Sequence, residues 1–204
     1  MSRTSGGLMI SSKRASALLM APAALLVLSG CALIEPADTS EPPTAMELCA
    51  MGHTWTLDTA DLAEKLLAEL PSEDVPAKAV EPSGGQTLTW ESTGALTIES
   101  DLVFTISAEP KADQVMTITQ SYTGTVVGKA LINVDVAIPR DWDISDYTVE
   151  TTAVLADEPV EELKYTIPRS DFDDMLGLVL TCEGDVMTVN PRGTDLIQVW
   201  NKSN

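Results

Sequence analysis

The stretch KALINVDVAI, Lys129 to Ile138, alternates residue by residue. Ala130, Ile132, Val134, Val136 and Ile138 fall on one face, and Leu131, Asn133, Asp135 and Ala137 on the other. A period of two is that of a β-strand, whose successive side chains point to opposite sides. The pattern predicts a single long strand with one wall in a core and one toward water.

The same period extends outward from this stretch. QTLTWE (86–91) and ALTIES (95–100), joined through Ser92-Thr93-Gly94, read as a hairpin. LVFTIS (102–107) and QVMTIT (114–119) precede the quoted stretch. DYTVETTAVLA (146–156), LKYTI (163–167), LGLVLTCE (176–183), VMTVN (186–190) and LIQVWNK (196–202) follow it, with a tight-turn signal at Glu183-Gly184-Asp185. HTWTLD (53–58) reads as a first strand. Between it and the proline-marked connection Pro71 to Gly85 lies TADLAEKLLAEL (59–70). There Leu62, Ala63, Leu66, Leu67 and Leu70 share one helical face, Asp58 or Thr59 can cap the first turn, and Pro71 stops the helix. These elements predict a mainly antiparallel β fold: a meandering sheet, curled or closed into a barrel, of about 8–10 strands with one amphipathic helix near the start.

The first thirty residues have the zones of an export signal: Arg3, Lys13 and Arg14, then the apolar Ala15 to Leu28, then small residues. Spanning a bilayer takes ~20 apolar residues, which this run does not reach. Leu28-Ser29-Gly30-Cys31 resembles the lipobox of bacterial exported lipoproteins. That resemblance implies diacylglycerol on the Cys31 sulfur, cleavage before it, and Cys31 with its fatty chains, palmitate among them, as the mature amino terminus. The chain would then be held on the outer face of the cell membrane through its acyl anchor. Residues 1–30 read as the signal peptide, 31–47 as lipidated cysteine and extended spacer, and 48–204 as one β-rich domain.

Removing residues 1–30 leaves nine basic against 31 acidic side chains, a net charge of −22. Nucleic acid is excluded as a partner, because binding it requires a basic surface that releases counterions. With Cys31 acylated, Cys49 and Cys182 remain, an even count in an exported, oxidising setting. They are expected to form a bridge worth roughly 5 kcal/mol in the chain-entropy account. The alternative is two buried free thiols.

Two weaker likenesses concern the folded part. Gly52-His53-Thr54-Trp55 resembles the Gly-x-Trp that opens lipocalin-like barrels, with one additional residue before the tryptophan. The wider pattern is similar to uncharacterised lipoproteins of high-GC Gram-positive bacteria. It comprises Cys49-x-x-Gly52-x-x-Trp55-x-x-Asp58, a helix, Cys182-Glu183-Gly184-Asp185, and Trp200. These likenesses imply a location and a fold, not an activity.

Candidate chemistry is sparse. His53 is the single histidine and reads as an ordinary strand residue. No nucleophile elbow, phosphate loop or dinucleotide fingerprint occurs. Asp141, Asp143 and Asp146 are a weak candidate calcium set, since Ser145 interrupts the alternate spacing and no glycine follows. Asp171, Asp173 and Asp174 form a second, weaker set. Trp55, Trp90 and Trp200 are expected in the core, whereas Trp142, in an acidic connection beside Arg140, is the candidate ligand or partner contact. No cofactor is expected. The function the sequence favours is non-catalytic binding of a small apolar ligand or another envelope protein. The alternatives are a carboxylate-dependent hydrolase of envelope polymers and a purely structural module. Cys31→Ser is expected to abolish incorporation of labelled palmitate, and an unchanged acylated form on autoradiography would remove the lipobox reading.

Overall fold

The computed structural model describes residues 42–70, 77–161, 177–192 and 196–203. Glu41–Asn204 makes up one folded unit. In chain order its elements are α1 (Ala45–Ala50), β1 (His53–Leu57), α2 (Thr59–Glu69), β2 (Ala77–Ser83), β3 (Gln86–Trp90) and β4 (Ala95–Lys111). There follow β5 (Gln114–Asn133), β6 (Val136–Leu155), β7 (Glu158–Pro159), β8 (Leu178–Glu183), β9 (Val186–Pro191) and β10 (Gln198–Lys202). Every strand pairing is antiparallel.

Strand pairing runs β4-β3-β1-β10-β9-β8-β6-β5 and returns to β4, a ring of eight strands. Its narrowest joint is β6 to β8, where only Val136 faces Val179 and Ala137 faces Leu178. β4, β5 and β6 continue past the ring as a second stretch of sheet, here called the arm, with β2 on one edge and β7 on the other.

The long strands contain segments that the sequence pattern separates. ALTIES and LVFTIS are one strand, β4, and β5 takes in everything from Gln114 to Asn133. The quoted stretch Lys129 to Ile138 is two strands joined by a turn. Asn133 pairs with Val136, and Val134 and Asp135 form the bend. Val134 is therefore 76% exposed, not in the core. Its φ of 61° lies in the left-handed region, where a β-branched side chain is strained by about 1–3 kcal/mol. Asparagine or glycine is the usual residue there, and its absence hides the turn from a pattern reading.

Three elements escape the sequence pattern, one of them the two-residue β7. β2 occupies part of the proline-marked connection; it is an edge strand, where Pro82 is tolerated because no inward amide is demanded of it. α1 begins inside the expected spacer. Thr44 Oγ1 accepts from Glu47 N, and Glu47 Oε2 accepts from Thr44 N, which closes a capping box. α2 matches its expectation, capped by Asp58, with Leu62, Ala63 and Leu66 buried. It packs on β2 and β10, and Lys65 Nζ donates to the carbonyl of Ile197 at 2.8 Å.

The ring buries indoles and aliphatic side chains. Trp55, Trp90 and Trp200 are each at most 3% exposed, with Leu57, Leu88, Leu180 and Met187 among them. Trp55 Nε1 donates to the carbonyl of Ala50 at 2.9 Å, which holds α1 to the start of β1. The Cys49–Cys182 disulfide ties the same helix to β8. In the arm, Phe104 and Ile106 of β4 and Met116, Ile118 and Tyr122 of β5 are buried on one face.

Two backbone positions admit opposite tests. Gly124 has φ 108°, and a Cβ there would overlap the carbonyl of Asp146. Gly124→Ala is expected to destabilise the unit by about 2 kcal/mol or more. Val134→Asn is expected to stabilise it by about 1 kcal/mol. Urea unfolding monitored by circular dichroism checks both.

Candidate functional site

The segment Arg140 to Asp146, expected to be a connection, lies within β6. Its residues still depart from a regular strand. Thr125 faces Asp146, Val127 faces Asp143 and Lys129 faces Arg140, so β6 accommodates an extra residue in each interval. Such bulges bend a strand and re-aim its side chains. Asp141, at the second bulge, has φ 55°.

The bulges turn Trp142 inward. Its ring lies against Gly128, where a Cβ would overlap the indole, and it packs half-buried on the core. It is therefore a packing residue on the inner side of β6. Arg140 remains exposed, as do Ile144 (48%) and, across the ladder, Val127 (41%) and Lys129. Arg140 and Trp142 are thus near neighbours in sequence that point to different environments.

Asp141, Asp143 and Asp146 are all exposed on this strand, not gathered on a loop. Asp143 Oδ1 accepts from Ser145 N at 3.0 Å, and hydrogen bonds from the Ser145 backbone and hydroxyl hold its carboxyl below the usual carboxylate range. Its oxygen thus serves a local turn. Among the described residues no three His, Cys, Asp or Glu side chains converge on a possible metal position. The sharp loop on which a calcium reading of these aspartates depends is replaced by extended backbone. Asp171, Asp173 and Asp174 lie outside the described residues.

His53 is half-buried at the start of β1. Lys202 Nζ lies 3.0 Å from its Nε2 and 6.0 Å from the Trp55 ring centre. The Trp55 indole is set edge-on to the His53 ring at 6.1 Å, so histidine, lysine and indole pack together at the start of β1.

Open depressions mark the surface of the described residues, and sequence reading did not locate the two that follow. One, of about 510 Å³, lies beside the β5–β6 turn and is lined by Asn133 to Val136, Ile138, Gly177 and Arg192. The other, of about 450 Å³, lies where β4 passes from β3 to β2, with Thr56, Thr87, Glu99, Asp101 and Thr125 on its walls. There Asp101 Oδ1 already accepts from Gly85 N at 2.7 Å, and Ser100 Oγ donates to the Tyr122 carbonyl at 2.9 Å. The buried indole N–H groups of Trp90 and Trp200 and the side-chain carbonyl of Gln120 have no hydrogen-bond partner among the described residues.

Comparison with family models, with curated proteins and with solved structures found no match. The functional reading therefore rests on this chain's own residues.

Tyr147, half-buried on β6 beside the bulges, offers a pH test of the local packing. Burial pushes its phenol up to about 12, from an ordinary value of 10.0. The buried neutral form is favoured, so the stabilising contribution is complete below pH 10 and is lost as pH rises toward 12. Ultraviolet titration is expected to find the Tyr147 phenol ionising late, and Tyr147→Phe is expected to remove that contribution.

Proposed function

We propose that this protein is a lipid-anchored component of a bacterial cell envelope, tethered through Cys31, whose folded unit binds another envelope protein. The reading is supported chiefly by apolar side chains left outside the buried core. Trp55, Trp90, Trp142 and Trp200 pack within the ring, while Val127 and Ile144 stand exposed on the bulged face beside the facing pair Lys129 and Arg140. Aliphatic side chains bordered by charges are the composition of a contact surface, not of a catalytic cleft. Bulges there aim the exposed groups at positions a regular ladder would not offer.

A carboxylate hydrolase needs one carboxyl raised so that it can act as an acid. The Asp143 carboxyl is shifted the other way. A second reading, a small ligand held in the interior, draws support from the unpartnered indole N–H groups of Trp90 and Trp200. Such donors suit a carbonyl or carboxyl oxygen.

A photo-crosslinking residue at position 144, in the lipidated protein in its own envelope, is expected to yield a discrete adduct. The same residue at 144 combined with Val127→Asp should lose it. An adduct that persists, or its absence in the parent, would overturn the proposed surface. Native mass spectrometry of the same protein would favour the interior-ligand reading if a small mass beyond the acyl chains were retained.

A further inference from the structure

The chain that runs from the anchoring cysteine enters the folded unit at α1, and the disulfide fixes α1 to Cys182 of β8. The β5–β6 turn abuts the same strand, since the carbonyl of Asp135 accepts from Leu180 N at 2.7 Å. The β8–β9 hairpin completes the neighbourhood, with Val186 opposite Glu183. Three elements thus meet along Leu180 to Glu183, and each carries an exposed aliphatic side chain. Leu48 on α1 is 64% exposed, Val134 at the turn 76% and Val186 43%.

We infer that this end of the folded unit rests on the lipid surface, with Leu48, Val134 and Val186 as its points of contact. The inference deepens the lipid-anchor reading and rests on it. The occupant follows from where the outside chain ends. Ala32 to Pro43 is the whole connection between Cys31 and the cap of α1, and fully stretched it reaches roughly 40 Å. Any shorter excursion brings the α1 end to the bilayer before the β4–β5 turn, which lies at the opposite end of β5. A bilayer already held by covalent attachment presents itself at high effective concentration, so a weak contact suffices. Three aliphatic side chains supply one, by entering the headgroup and acyl boundary.

Val134 adds an independent argument. It keeps an apolar side chain in a strained backbone position that asparagine would fill without strain, and it is the most exposed of the large apolar side chains among the described residues. Asp135, Glu183 and Asp185 lie beside the patch, and their charge favours zwitterionic over anionic lipid.

The test uses the natural lipidated protein reconstituted in phosphatidylcholine vesicles. Its three cysteines are acylated or bridged in this reading, so a thiol introduced by Val134→Cys, Leu48→Cys or Val115→Cys is the one that takes an environment-sensitive dye. Val115, 62% exposed near the β4–β5 turn, is the control. Nitroxide-bearing lipids are expected to quench the dye at 134 and 48 several-fold more than at 115, and less when anionic lipid is added. Equal quenching at 134 and 115, in protein that floats with the vesicles, would overturn the contact and leave the anchor standing. Protein that fails to float and carries no palmitate would overturn the anchor and the contact together. Shielding at 134 in envelope membranes but not in pure lipid would replace the bilayer with a protein partner.

Discussion

A strand of twenty residues has two edges of backbone amides and carbonyls to satisfy, and β5 meets that demand on both sides within the chain. β4 runs along one edge and β6 along the other, and the remaining elements attach to this trio. Unpaired backbone groups in a dry interior cost roughly 1–3 kcal/mol each. The register of the three strands is thereby fixed along their length, and with it the choice of which side chains face inward.

β4 is longer than either neighbour on its other edge, so two strands share that edge in succession. β3 pairs with it from Leu96 to Ser100, and β2 takes over at Val103. At the handover, Asp101 N donates to the carbonyl of Gly85, while its side chain accepts from the Gly85 amide. Gly84, with φ 71° and the Asp101 carbonyl where a Cβ would stand, is a position only glycine fills easily. The short link Gly84-Gly85, by which the chain passes from β2 to β3 along the same edge of β4, therefore marks the boundary between ring and arm, and the depression beside Asp101 lies at that change of partner.

The sequence announced these elements unevenly, for physical reasons. α2 was legible because Asp58, the leucine stripe and Pro71 supply cap, face and stop. The disulfide was legible from the cysteine count. Antiparallel strands were legible from threonine and valine alternation, but their ends were not, since Val134-Asp135 continues the alternation through a turn. Trp142 illustrates the deeper difficulty. Period two assigns a side to every residue of a regular strand, but each bulge reverses the assignment, and bulges at Asp141 and beyond Asp143 leave no local mark in composition. The exposed face at Val127 and Ile144 and the patch around Val134 were hidden for the same reasons. Both depend on pairings between residues far apart in sequence.

The four indoles share one location, with an optical consequence. Trp55, Trp90, Trp142 and Trp200 all belong to the ring, whereas the aromatic groups described in the arm are a phenyl and a phenol ring, Phe104 and Tyr122. Emission excited at the red edge of the near ultraviolet reports the closed part of the sheet and is blind to its extension. The molecule thus carries separate chromophores for its two halves, and loosening of one without the other is distinguishable by colour alone.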